Sequence, residues 1–136
     1  MTDLSFLLDT DTVIYIRSGR RLVLERFASL RPGTAAISVI SYGELLFGVE
    51  KSGSRDEALA RLAQLTERIP VDELPLRAAA EYADIRMDLG RRGALIGPND
   101  LWIAAHARAR GLTLITANER EFRRVPGLAV ENWAAA

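Results

Sequence analysis

Carboxylates stand where apolar segments of this chain break off. Asp9 ends the run of residues 5–9, Thr116 and Asn118 follow a second run at residues 112–116, and Glu121 comes one turn later. Glu44 and Asp100 sit inside otherwise apolar stretches, Ser41-Tyr-Gly-Glu-Leu-Leu-Phe and Asp100-Leu-Trp-Ile-Ala-Ala. A carboxylate on an apolar face must be paired or metal-bound, because burying it alone costs several kcal/mol or neutralises it. Each acid also has an ordinary role when taken singly: Asp9 and Asp11 as turn and helix-cap residues, Asp100 as a first-turn acid, Glu44 and Glu121 as partners of Arg. Taken together near one sheet edge they repel, and two carboxylates 5 Å apart at an effective dielectric of 20 cost roughly 3 kcal/mol.

A divalent cation removes that repulsion. The chain has no cysteine and one histidine, His106, so thiolate sites and a His₂ or His₃ zinc site within one chain are excluded. Oxygen donors suit Mg²⁺ or Mn²⁺, and Mg²⁺ keeps several waters while using one or two carboxylates directly. Such a metal acidifies a bound water and clamps charge on a phosphoryl oxygen, so phosphodiester hydrolysis needs neither a protein nucleophile nor a histidine. In this reading Asp9, Glu44, Asp100 and Glu121 hold the metal and Asn118 positions water or phosphate. Thr116 and Ser38, at strand ends, suit ligand orientation or turn hydrogen bonds equally. His106, on a buried helix, reads as a satisfied core histidine, and Trp102, Trp133 and Tyr82 read as core or interface.

Positioning these groups requires alternating strands and helices. Strands are expected at residues 5–9, 35–38, 69–71, 112–116 and 128–130. Helices are expected from a cap at Asp11 through an apolar face of Val13, Ile14 and Ile16 to Gly19, then over residues 21–30, 41–49, 55–68, 76–89, 100–109 and 119–122. The 76–89 helix carries Ala79, Ala80, Ala83 and Met87 on one face, and the 100–109 helix is apolar almost all round. This alternation implies an α/β fold with a parallel sheet covered on both faces, whose ligands bind beyond the carboxyl ends of the strands.

The 136 residues make one domain, spanning 1–136, at 49% apolar content. Eighteen basic and eighteen acidic residues cancel, which argues against polyanion binding by bulk charge but leaves local patches open. Seventeen of the cations are Arg, Lys51 being the exception; genome composition explains this as readily as phosphate binding does. No stretch approaches the roughly 18 apolar residues of a membrane span, and the start lacks a cationic leader, so a soluble cytoplasmic protein is expected.

Asp9-Thr-Asp-Thr-Val13 resembles the D-x-D-x-V signature of haloacid-dehalogenase-type phosphatases, in which the first Asp attacks phosphorus. That family also needs a Lys and a late acidic pair, whereas Lys51 falls after Glu44 and no late Asp-Asp follows a strand. A non-catalytic module whose acids receive an Arg-rich peptide is a further alternative. P-loop, dinucleotide and nucleophile-elbow motifs are absent from the sequence.

Over nearly its whole length the chain resembles the VapC-type toxin family of PIN-domain ribonucleases. The resemblance lies in Leu8-Asp9-Thr10-Asp11, Ile37-Ser38 with Glu44-Leu45 and Gly48, Gly97-Pro98-Asn99-Asp100 with Ile103-Ala104-Ala105-His106-Ala107, Ile115-Thr116-Ala117-Asn118 with Glu121-Phe122, and the tail Val125-Pro126-Gly127-Leu128 with Glu131-Asn132-Trp133. It implies a three-layer α/β/α fold with a mainly parallel sheet in the order 3-2-1-4-5 and a Mg²⁺- or Mn²⁺-dependent endoribonuclease. It also implies an acidic triad of Asp9, Glu44 and Asp100, with Asp9 and Asp100 as direct metal ligands. The fourth place falls to Asn118 or Glu121, and Asp11, often Asn in the family, is a supporting residue or a cap. A VapB-type antitoxin is the implied partner, in a homodimer, heterotetramer or hetero-octamer, and a folded RNA such as initiator tRNA the implied substrate. The amphipathic segments 21–30 and 55–65 are expected to form the antitoxin groove.

Overall fold

The computed structural model describes residues 3–135. Strands β1 (Phe6–Leu8), β2 (Ala35–Ser38), β3 (Val71–Asp72), β4 (Thr113–Ile115) and β5 (Val130–Glu131) form one sheet in the order β3-β2-β1-β4-β5. Every neighbouring pair is parallel. Among the described residues seven helices connect and cover them: α1 (Thr10–Ser18), α2 (Arg21–Ala28), α3 (Val39–Lys51), α4 (Arg55–Arg68), α5 (Ala78–Arg91), α6 (Pro98–Arg110) and α7 (Glu119–Phe122). None of the helices among the described residues is long and apolar enough to cross a membrane.

Strand residues alternate between two cores because successive side chains point to opposite faces. Leu7 and Leu114 pack with Ile85 and Leu89 of α5, Ile103 of α6 and Phe122 of α7. Leu8, Ile37 and Ile115 pack with Val13 of α1, Val23 of α2, Leu45 of α3 and Leu62 of α4. The central strands are therefore continuous apolar runs with no polar alternation, as a sheet covered on both faces requires, and the layers are α/β/α.

Several local expectations are corrected. Asp9, and not Asp11, caps α1, its carboxylate accepting from the Thr10 N–H. Ile14 is exposed while Val13 and Ile16 are buried. In α5 the face of Ala79, Ala80, Ala83 and Met87 is turned to solvent. The buried line is Ala78, Ile85 and Leu89, with Tyr82 half-buried beside it; two large branched side chains hide more apolar area than three methyl groups do. The third strand starts at Val71 because Ile69 caps the end of α4 and Pro70 has no N–H, contributing its carbonyl to the Ile37 N–H instead. The last strand is Val130–Glu131, shifted from residues 128–130. The two segments expected to form the antitoxin groove lie side by side, with Phe27 of α2 packed in the cluster of Leu62 and Leu65 of α4 and Arg68 5.1 Å over its ring. What stays open is a cavity of about 430 Å³ where these helices end.

His106 is wholly buried and ties three elements together. Its Nδ1 lies 2.8 Å from Ser38 Oγ and its Nε2 2.8 Å from Asp72 Oδ2. Ser38 Oγ also accepts from the Ile40 N–H at the start of α3. A neutral imidazole protonated at Nε2 satisfies the whole chain, with Ser38 donating to Nδ1 and the imidazole donating to Asp72. Burial pushes the imidazole below its ordinary range against the pull of Asp72. Replacing His106 with Leu leaves the buried Ser38 hydroxyl without its acceptor, while Asp72 keeps Arg110, so unfolding free energy is expected to drop by roughly 1–3 kcal/mol in urea titrations at neutral pH. A change below about 0.5 kcal/mol, the usual scale of surface substitutions, contradicts this account.

Candidate active site

Strand register creates the site. Leu8 pairs with Ile37 on one side and Ile115 on the other, so the next residues, Asp9, Ser38 and Thr116, leave three adjacent strands at the same carboxyl edge. The Asp9 N–H donates to the Ile115 carbonyl at 2.8 Å, which carries the rigid ladder one residue beyond the strand. Asp9 is 6% exposed, and both its oxygens are held: Oδ1 accepts from the Thr10 N–H and Oδ2 from Thr116 Oγ1, each at 2.8 Å. Thr116 Oγ1 in turn accepts from the Asn118 N–H at 3.0 Å. Thr116 thus orients a carboxylate through its hydroxyl and shapes the turn through the same atom.

Helices bring in the other acids. Capped by Ser38, α3 carries Glu44, whose Oε1 accepts from Thr10 Oγ1 at 2.8 Å. Gly97 and Pro98 start α6 and place Asp100 in its first turn; Pro suits that position because its missing N–H is unneeded there. Asn118 precedes α7, which carries Glu121. Asp11, in the first turn of α1, accepts from the Ala117 N–H at 3.2–3.3 Å and so fastens the turn after β4 to α1. Ser38 is placed differently from expectation. It is wholly buried, capping α3 and bonding His106, and so has no exposed face to offer a ligand. Thr10 is the residue the sequence reading passed over: one side chain and its N–H link Asp9 to Glu44. A hydroxyl directly after a strand-ending Asp was the available signal.

The acids sense one another electrostatically. Burial, then Asp11, then Asp100 push the Asp9 carboxyl up from 3.8 to about 7, against the hydrogen bonds from Thr116 and Thr10. Burial, Glu44, Glu121 and Asp11 push Asp100 up to about 6. Among the described residues, no Arg, Lys or His forms an ion pair with Asp9, Asp11, Glu44, Asp100 or Glu121. The donor set is all oxygen, acidic and uncompensated, which fits a hard divalent cation. Among the described residues no three of His, Cys, Asp or Glu already stand as a complete ligand set.

Comparison with known proteins gives a consistent family. A PIN domain model matches residues 6–128. The chain is similar to the tRNA(fMet)-specific endonuclease VapC of Shigella flexneri, 42% identical over 132 residues covering 96% of this chain and 99% of the relative. It is likewise similar to Ribonuclease VapC2 of Haemophilus influenzae, 40% identical over 131 residues covering 96% and 98%. Among solved structures, DNA-bound VapBC from Salmonella typhimurium superimposes with a TM-score of 0.89 at 38% identity, covering 96% of this chain and 98% of that one.

The raised carboxyls have a thermodynamic consequence in the metal-free protein. A buried acid favours the fold in its protonated form, so its stabilising effect is full below the ordinary carboxylate range and is lost as pH rises through the folded value. With divalent ions chelated, stability relative to Asp9→Asn is expected to fall between about pH 4, where the unfolded carboxyl ionises, and about pH 7, where the folded Asp9 does, and to level off above that. Thermal unfolding of both proteins in chelator checks this, and a difference that is flat or rises with pH contradicts it.

Proposed function

The chain belongs to the PIN-domain family, among its VapC-type ribonucleases, and on that premise we propose that it is a Mg²⁺- or Mn²⁺-dependent endoribonuclease. We propose further that it is the toxin half of a toxin–antitoxin pair, hydrolysing phosphodiester bonds in a single-stranded part of a folded RNA such as initiator tRNA. The observation that carries this reading is the convergence of Asp9, Asp11, Glu44, Asp100 and Glu121 with no protein cation among them.

Asp9 and Asp100 are the residues proposed to hold the ion directly, with Glu44 and Glu121 acting on its shell. When bound, a divalent ion neutralises phosphoryl oxygens and makes water a stronger acid. The chain's own residues supply the rest. Hydrogen bonds from Thr10 and Thr116 fix both oxygens of Asp9, and Thr10 Oγ1 fixes Glu44, so little reorganisation is left for the reaction. Asp11 braces the turn that presents Asn118 toward water or phosphate. A protonated Asp9 or Asp100 opposes a cation, so activity is expected to rise with pH through about 6 to 7.

The relatives' toxin–antitoxin complexes support a VapB-type partner and an assembly of the homodimer, heterotetramer or hetero-octamer kind. The phosphatase reading draws no support from the fold, because Lys51 sits on the Phe47 ring, seven residues along α3 from Glu44, roughly 10 Å at the helical rise.

Purified protein is expected to cut tRNA with Mg²⁺ or Mn²⁺, to stop in chelator, and to lose at least ~100-fold in rate on Asp100→Asn. Gel analysis of RNA fragments checks all three. Cleavage indifferent to chelator and to Asp100→Asn overturns the proposal, and release of phosphate from small monoesters favours the phosphatase instead.

A further inference from the structure

Glu44 borders two hollows at once. On one side a groove of about 530 Å³ runs between α1, α3 and α4, with Thr10 at its acidic end, Arg17 and Arg61 on its walls and apolar residues of α3 beneath. On the other side lies an open shelf of about 430 Å³ that includes Phe47 and Asn99. One carboxylate therefore divides a cationic channel from an aromatic platform.

The channel is built for an anion. Arg17 and Arg61, like eight other arginines of the chain, form no ion pair among the described residues, and these two both line the groove. Two guanidinium groups against the one carboxylate of Glu44 leave the groove lining with a net positive charge, and the same two arginines also line a second hollow of about 340 Å³ that includes Arg68. The platform has a different chemistry. Phe47 is 61% exposed, an open cost for a large ring, and Lys51 Nζ lies 4.7 Å from the ring centroid, occupying one face. Asn99 makes no side-chain hydrogen bond among the described residues and offers both donor and acceptor.

Resting on the ribonuclease reading above, we propose that a single RNA strand crosses the site at Glu44, with phosphates on one side held by Arg17 and Arg61 and the unpaired base on the other stacked on the free face of Phe47, its edge open to Asn99. Single strands are read by this combination, a charged track for the backbone and an aromatic face for a splayed base. An acidic protein segment satisfies the arginines alone and leaves the Phe47 and Asn99 shelf without a use, so RNA is the occupant that accounts for both flanks.

The test uses the full chain carrying Asp100→Asn, in Mg²⁺, with a fluorescein-labelled mixed-sequence 12-nucleotide RNA, an abasic RNA backbone of equal length, and an acidic peptide. Anisotropy is recorded over a salt series, and thermal unfolding confirms that each variant is folded. Replacing Arg17 and Arg61 with Ala is expected to lower the salt slope by about 1.4 for both RNA probes, at about 0.7 per phosphate contact on a single strand. Phe47→Leu is expected to weaken the base-bearing RNA about tenfold with its slope unchanged, and to leave the abasic probe alone. The proposal is overturned if the arginine variant keeps the slope, if Phe47→Leu affects both probes alike, if the arginine change weakens only the acidic peptide, or if the Asp100→Asn protein binds no RNA. Any of these results beside normal cleavage by the unmodified chain removes the path and leaves the ribonuclease reading standing; absence of cleavage by that chain in Mg²⁺ and Mn²⁺ removes the reading itself.

Discussion

Like charges crowded at the end of a parallel sheet set the terms for the rest of this structure. Burial and the neighbouring carboxylates hold Asp9 near 7 and Asp100 near 6, and no basic side chain among the described residues relieves them. Such an arrangement persists because the scaffold over-determines it. Asp9 is locked by the β1 and β4 register, by the α1 cap and by Thr116, while α3 and α6 are tied through Ser38 and His106. The two apolar cores supply the stability that the site itself lacks. The proposed site thus lies where the fold opposes its own charges, a common cost of preorganised electrostatics.

The neutral balance of the whole chain hides this local separation. Seven of the seventeen arginines form ion pairs with acids outside the Asp9–Glu44–Asp100–Glu121 cluster, including Arg108 with Glu81 and Asp84. The acids at the edge and the arginines of the adjoining groove are left uncompensated side by side. A substrate carrying phosphates, accompanied by a divalent ion, satisfies both deficits together, so bulk charge was a poor guide to the partner whereas charge placement is a good one.

Fold order and most of the acidic site were legible because they rest on strong local signals: apolar runs punctuated by Gly and Pro, and acids at the ends of those runs. Glu119–Phe122 and Arg55–Arg68 fall where periodicity placed them. Less legible were features that depend on contacts between distant segments. The buried face of α5 is chosen by what α6 and the sheet present to it, so the apolar face of Ala79, Ala80, Ala83 and Met87 that the sequence displays lies outside. Ser38 at a strand end looks like any ligand-facing hydroxyl until His106, 68 residues later, is seen to take it. Thr10 escaped notice for the same reason, since its partner Glu44 belongs to another helix.

The central claim is that these mutually repelling acids are gathered at one sheet edge to hold a divalent ion. Anomalous diffraction from a crystal soaked in Mn²⁺ addresses it directly, since the ion is seen independently of any assay. The account predicts a peak within about 2.0–2.3 Å of carboxylate oxygens of Asp9 and Asp100, of the length hard divalent cations take with oxygen, with Glu44 and Glu121 facing the same ion. A map with no ion between Asp9 and Asp100, and these side chains turned to separate surfaces, contradicts it.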